Sequence, residues 1–334
     1  MSGRTCDENS HYHPKSIDCR ARSLFGFRYG VLNVRAFAAI AATVGESATV
    51  TPPHDPASAE QESVPSHRTP WLDATRPSPA RVYDYLLGGK DNFAADRIAA
   101  EKMVAALPSI RVGAQENRRF LLRGVRYLAA EMGMRQFLDI GTGIPISPNV
   151  HEVVQSVTPA ARVAYVDNDP VVLAHARALL VSGPGGEVGY LEADIRDPGS
   201  IISSTLVRNM LDFDEPVALV LNAVLHFIPD DERPAEILRT LIGALPPGSH
   251  VLASHLTPEH NARLRQASDG YNDDGVRTRP RTRAEFERLV FTGQGLELVE
   301  PGVVLVSHWR RDPDDPPAPT AAEVSAYGGL ARLP

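Results

Sequence analysis

One stretch, Arg135 to Pro170, restricts the fold more than any other. The apolar run Phe137-Leu138-Asp139-Ile140 meets a glycine turn, Gly141-Thr142-Gly143, and helix-compatible sequence follows from about Asn149. A second β-branched run, Arg162-Val163-Ala164-Tyr165-Val166, ends at Asp167. Pro170 then stands where a helix begins, with Asp169 before it as the N-cap. Strand, glycine turn, helix, strand, acid is the order of a right-handed βαβ unit, which opens a crevice at the carboxyl ends of its parallel strands. Glycine lets the first turn pass close beneath a ligand, where a Cβ would collide. An acid at the tip of the second strand can accept both hydroxyls of a ribose. Asp167 follows Gly143 by 24 residues, close to the spacing of a nucleoside-binding acid.

The turn is not a dinucleotide fingerprint, because G-x-G-x-x-G needs glycine at 146 and Ile146 is there. It is not a phosphate-binding P-loop either, since no Gly-Lys-Ser/Thr follows. Asp139 precedes the first glycine by two residues. D-x-G-x-G suits a ligand with a cationic amine and no pyrophosphate, and S-adenosylmethionine is such a ligand. The competing reading is a tight strand-to-helix turn without a ligand.

The block from Asp139 to Glu152, D-I-G-T-G-I-P followed by P-N-V-H-E, and Y-V-D-N-D-P-V-V-L-A-H-A-R from Tyr165 to Arg177 resemble an actinobacterial family of S-adenosylmethionine-dependent methyltransferases. R-V-Y-D-Y-L-L-G-G-K-D-N-F from Arg81, N-R-R-F-L from Asn117 and A-Y-G-G-L-A-R from Ala326 agree with it. The resemblance covers about Trp71 to the C-terminus and leaves the methyl acceptor unspecified. It implies an α/β fold: a Rossmann-like, doubly wound seven-stranded sheet, mostly parallel with one antiparallel strand, under an N-terminal helical cap. The expected divisions are a disordered extension (1–70), the cap (71–132), the Rossmann-like domain (133–310) and a proline-rich linker with a tail (311–334).

The resemblance also assigns residues. Asp139, Gly141, Thr142, Gly143, Asp167 and Asn168 are expected to hold the cofactor. Asp194 and Ile195, after the strand at 189–195, are expected to clamp its adenine; Asp194 alternatively caps the next turn. Asn222, at the tip of the strand Val217–Asn222, is expected near the methionine part. Tyr83, Asn92 and Arg118 of the cap join them, Arg118 as a bidentate partner for the methionine carboxylate. The other reading of Arg118, and of Lys90, is a solvated surface. His226, His255 and Tyr271 are the candidates for work on the acceptor. A neutral imidazole can take a proton near pH 7, although a histidine after the fourth strand recurs in methyltransferases where it does no chemistry.

Composition narrows the partners. A net charge of −7 leaves no basic excess to replace the counterions of a nucleic acid. Cys6 and Cys19 both precede the expected domain, which therefore has no disulfide or cysteine metal site and fits a reducing cytoplasm. The histidines at 11, 13, 54 and 67 lack acid or cysteine partners at ligand spacing, so no metal is expected. No run of 18 apolar residues spans a membrane. Residues 20–44 carry arginines within a weakly apolar stretch and read as part of the extension, or less readily as an interfacial helix.

Along the chain, helices are expected from near Pro77 to Leu87, Phe93 to Ala106 and Ala114 to Glu131, closed by glycines or proline. Strand five is expected at Val251–Ser254. The polar segment 256–281 reads as a lid or acceptor loop, and Thr282 with Glu285 as a capping box. Leu296–Val299 and Val303–Trp309 read as the closing strands, the last one antiparallel. The end of the chain is less polar than a free tail. The leading function is methyl transfer to a small molecule. The alternatives are a regulatory protein that binds S-adenosylmethionine or its product without turnover, and an NAD-dependent dehydrogenase, which Ile146 and Asp139 oppose. Oligomeric state is not legible.

Overall fold

The computed structural model describes residues 73–179, 182–312 and 315–334. The expected disorder of 1–70, the amphipathic stretch at 20–44 and the N-terminal histidines lie outside the described residues.

Three helices come first: α1 (Pro79–Leu86), α2 (Ala94–Ala106) and α3 (Ile110–Ala130). Proline at the first position of α1 supplies a preset helical φ. Then come β1 (Gln136–Ile140), α4 (Val150–Val157), β2 (Arg162–Asp167), α5 (Pro170–Leu179) and β3 (Glu187–Glu192). They are followed by α6 (Pro198–Ser203), α7 (Thr205–Met210), β4 (Ala218–Leu221), α8 (Pro234–Gly243) and β5 (His250–Leu256). The chain closes with α9 (Arg263–Asp273), α10 (Arg283–Val290), β6 (Glu297–Leu298), β7 (Val304–Leu305), α11 (Ala321–Val324) and β8 (Ala326–Arg332).

The strands lie in the order β3-β2-β1-β4-β5-β8-β6, and β7 pairs with β8 beside this path. β1 to β5 pair in parallel. β8 runs antiparallel to β5, β6 and β7. The path thus has the expected seven strands and one reversed strand, with β7 as a two-residue addition.

The identity of the reversed strand differs from the sequence expectation. It is the C-terminal segment, not Val303–Trp309. That run is apolar because it is buried, but only Val304 and Leu305 form a ladder. Trp309 instead packs edge-on against Phe120 and Tyr127, with ring centroids 5.5 and 5.8 Å away. Residues 326–332 are no tail: they sit between two strands and form seven register pairs with β5, from His250–Arg332 to Leu256–Ala326.

Side chains alternate across the sheet with period two. Leu138, Ile140, Ala164, Val166, Leu219 and Leu221 face a core shared with α6, α7, α8 and α10. Phe137, Val163, Tyr165, Ala218 and Val220 face the opposite core, filled by α3 and α4. Helices on both faces leave the carboxyl ends of β1, β2, β4 and β5 free to build a site. Above that edge, α1, α2, the start of α3 and α9 form a separate apolar cluster that includes Val82, Leu86, Ile110, Leu264 and Tyr271. The expected loop at 256–281 therefore contributes a helix to the cap. Helix α3 belongs to both parts, its second half packing on the sheet through Phe120, Val125 and Leu128.

Candidate active site

The glycine turn after β1 is held from beneath. Gly141 and Thr142 donate their N–H groups to the carbonyl of Val166, at 2.8 and 3.3 Å. Thr142 Oγ1 donates to the carbonyl of Asp139 at 3.1 Å. Gly143 N–H donates to Asp167 Oδ2 at 2.9 Å, so the acid at the tip of β2 meets the turn directly. Asp167 Oδ1 accepts from the N–H of Asp169 at 2.9 Å. Gly143 has φ +72°, and open space lies where a Cβ would point. That conformation suits glycine and leaves room against the backbone.

Asp139 is the unusual group. It is 3% exposed, and its carboxylate accepts no hydrogen bond from the described residues. Burial raises its pKa to about 7, with Arg118 opposing and Asp167 adding to the rise. Burial likewise lifts Asp167 to about 6, against the hydrogen bonds from Asp169 and Gly143 that lower it. Two acids with raised pKa values side by side suit a positively charged partner.

Both acids line a cavity of about 500 Å³ beneath the cap. Gly141, Thr142, Gly143, Asn168, Ile195 and Asn222 also line it, as do Tyr83, Arg118, His226, His255 and Tyr271. Asp194 and Asn92 do not. The carboxylate of Asp194 accepts from Asn168 Nδ2 at 2.8 Å and from the N–H of Arg196 at 2.9 Å, so it closes the turn after β3. Its neighbours Ala193 and Ile195 are the ones that reach the cavity wall. Asn92 donates to Asp84 Oδ2 at 2.8 Å and to the carbonyl of Gly89 at 3.2 Å, bracing the loop after α1. Lys90 is exposed and away from the cavity.

At the tip of β4, Asn222 Oδ1 accepts from Ser254 Oγ at 3.0 Å. Ser254 Oγ in turn accepts from the N–H of Ala223, which is held at φ +56°. A non-glycine residue there costs about 1–3 kcal/mol, and such residues cluster at functional sites. On the cap side, Tyr83 donates to the carbonyl of Ala114 and accepts from Asn117 Nδ2, both at 3.0 Å. Asn117 Oδ1 is buried without a partner. Arg118 spends Nη2 on the carbonyls of Ile146 and Pro148, the latter at 2.7 Å, and so pins the segment after the glycine turn.

The three acceptor-side candidates are buried, and burial favours the neutral form of each. Arg281 Nη1 lies 3.0 Å from His255 Nε2, and an arginine can only donate, so the proton of His255 sits on Nδ1 and goes to the carbonyl of Leu256 at 2.8 Å. Both nitrogens are engaged, and burial with Arg281 beside it lowers this imidazole to about 3. His255 thus anchors Arg281. The Nδ1 of His226 is buried with no partner. Burial holds this ring well below the ordinary histidine range, reinforced by His255 and Arg281. The hydroxyl of Tyr271 is buried and unpartnered, and burial pushes it far above its usual value, with Asp96 adding to the rise.

Sequence reasoning missed Arg81. It is buried beneath the cap, donating from Nε to Asp96 at 2.9 Å and from Nη1 to Asp169 at 3.1 Å. Because the N–H of Asp169 holds Asp167, Arg81 links the cap to the acid at the tip of β2. Its place at the head of the block Arg81–Phe93 was the available signal. Among the described residues, no group of three His, Cys, Asp or Glu is arranged to hold a metal ion.

A parallel sheet in this strand order with one reversed strand, a glycine turn over a buried acid and a second acid at the next tip define a Rossmann-like methyltransferase. The chain belongs to the S-adenosyl methyltransferase family, whose model matches residues 65–334. It resembles a DUF574 family protein from Streptomyces avermitilis, with 43% identity and TM-score 0.76 over 78% of this chain and 99% of that one. A protein from Thermobifida fusca, proposed to be a methyltransferase, is 42% identical with TM-score 0.72, over 78% of this chain and 96% of that one. No curated protein matches it. The protein is an S-adenosylmethionine-dependent methyltransferase. The residues fit that cofactor: Asp139 is a buried acid suited to a positive charge, and Gly143 leaves space where another residue would fill it. Among the described residues, no helix is long and apolar enough to cross a membrane.

Proposed function

We propose that the chain transfers a methyl group from S-adenosylmethionine to a small molecule held beneath the cap, chiefly by aligning the two. One observation carries the reading: the acids at the tips of β1 and β2 share a single cavity with the apolar underside of α1, α2 and α9. In this reading Asp167 holds the ribose hydroxyls, and Asp139 faces the ammonium end. Ile195 packs on the adenine with Asn168 beside it, while Asn222 and Tyr83 border the methionine part. Arg118 acts by pinning the segment 146–148. Asp194 and Asn92 act through the turns they brace.

The bound cofactor supplies a methyl group already activated by a positive sulfur. The protein must exclude water and fix the line of approach, which is worth roughly 7–11 kcal/mol in well-oriented reactions. The apolar cap supports the first task and the hydrogen-bonded strand tips the second. Asp167→Ala is expected to weaken binding of S-adenosylhomocysteine by about 1–3 kcal/mol, the scale of lost charge-assisted hydrogen bonds. Calorimetric titration of both proteins measures this, and unchanged affinity would count against the ribose role.

A further inference from the structure

The cap is joined to the sheet domain by ion pairs at two places that differ in kind. At the first, Arg81 of α1 is paired with Asp169 at 3.1 Å, and both side chains are buried. At the second, the chain leaving α9 contributes Asp274 to Thr278 to the cavity wall, together with Arg196, Phe227 and Ile228 of the sheet domain. Here Arg277 reaches the acids that follow the β4 tip. Its Nη2 lies 2.7 and 2.8 Å from the carboxylate oxygens of Asp231, and its Nη1 lies 2.7 Å from Glu232. Glu232 also accepts from Arg196 Nε at 2.5 Å, and Arg196 Nη2 donates to the carbonyl of Phe227 at 2.9 Å. One glutamate thus ties the end of the cap to the residue next to Ile195.

The two junctions also differ in strength. Breaking a buried pair strands charges away from water and is costly. Exposed pairs are weak one by one and are screened by salt. The side chains of Arg277 and Asp231 are 53% and 66% exposed. Thr278 is hydrogen-bonded to Asn272 and Ser268 of α9, so this part of the wall belongs to the cap helix. Just beyond it the chain is rooted in the sheet domain. The N–H groups of Arg279 and Arg281 donate to the carbonyls of His226 and Leu256 at 2.7 and 3.1 Å, and the buried Arg281 donates to Asp230 at 2.6 Å. Arg277 clasps the end of α9 to the sheet domain, and this hold yields more readily than the buried pair at Arg81.

We infer that the cavity opens at this clasp, with Arg277, Asp231 and Glu232 forming the gate through which the cofactor enters and its product leaves. The inference rests on the cofactor reading above, in which the adenine packs on Ile195 beside Arg196. When the pairs of Arg277 break, the end of α9 lifts from the segment Asp230–Glu232 and the ligand passes. When they form again, the cavity is shut against water. The clasp is made by protein groups alone, so it forms with or without ligand. Weakening it therefore raises the rates of entry and exit by the same factor and leaves their ratio, the affinity, as it was.

Association and dissociation of tritiated S-adenosylhomocysteine are measured by rapid filtration on the full chain, on Arg277→Gln and on Asp231→Asn. The second variant cuts the same clasp from its other side and keeps the test decisive if the first does not fold. Both rates are expected to rise at least about threefold in each variant, with the affinity unchanged. Raising NaCl from about 0.05 to about 0.5 M is expected to speed both rates in the wild type and to change those of Arg277→Gln much less. Rates equal to those of the wild type in both variants would overturn the inference. So would faster dissociation alone with affinity lost in proportion, because Arg277 would then be a contact of the ligand and not a gate. Failure of S-adenosylhomocysteine to bind the wild-type chain would instead remove the cofactor reading beneath it.

Discussion

Asp139 illustrates how a single residue trades stability for function. A buried acid with its pKa raised to about 7 binds its proton more tightly in the folded chain than in the unfolded one. Stability therefore falls as pH rises from about 4 to about 7. Arg118, Asp167 and Tyr165 are the charged or titratable neighbours that couple to it. A cationic ligand favours the ionised acid, so cofactor affinity is expected to rise over the same pH range. Asp139→Asn removes the titration: its melting temperature should exceed the wild type's by more at pH 8 than at pH 5, while cofactor binding weakens. Thermal unfolding at the two pH values checks this, and a difference independent of pH would contradict it. The sequence made Asp139 and Asp167 legible because glycine spacing ties them to a crevice. It did not separate Asp194 from them. An acid after a strand looks the same whether it faces a ligand or caps the next turn, and the hydrogen bonds that Asp194 accepts from Asn168 and Arg196 are not legible in the sequence.

Two elements join the site to the rest of the molecule. Arg81 on α1 is paired with Asp96 and Asp169, and all three are buried. Removing one partner of a buried ion pair costs about 3–5 kcal/mol, because the charges left behind are unpaired. Arg81→Met should lower stability on that scale in urea unfolding and weaken S-adenosylhomocysteine binding through Asp169 and Asp167. A variant of unchanged stability would show that the link is dispensable. The other element is β8. Its sequence, with two adjacent glycines after a proline-rich stretch, carries few strand signals. Gly328 is required there because a Cβ would lie 2.6 Å from the ring of Phe120. Close packing thus selected a residue that propensity counts against a strand, and the adjoining Val303–Trp309 run looked like the better choice. A chain ending at Thr320 lacks this strand, which lies between β5 and β6, and should lose its cooperative thermal transition, as followed by circular dichroism. Retention of a cooperative melt would mean that the C-terminal segment is an accessory.

At the scale of the molecule, the βαβ order made the parallel sheet and its crevice legible, and helical periodicity made the three leading helices legible. The cavity was less so, because it is closed by parts distant in sequence: α1 and α2 from one side and α9, an insertion after β5, from the other. Hydrophobic pattern marks each helix as amphipathic but not which helix it meets. The union of strand tips and cap in one chamber is the central claim, and hydrogen exchange of the full chain with and without S-adenosylhomocysteine tests it most directly. The expected result is slowed exchange at the turn 141–143, at 167–169 and in both α1 and α9. Protection confined to the strand tips, with the cap helices unchanged, would contradict it.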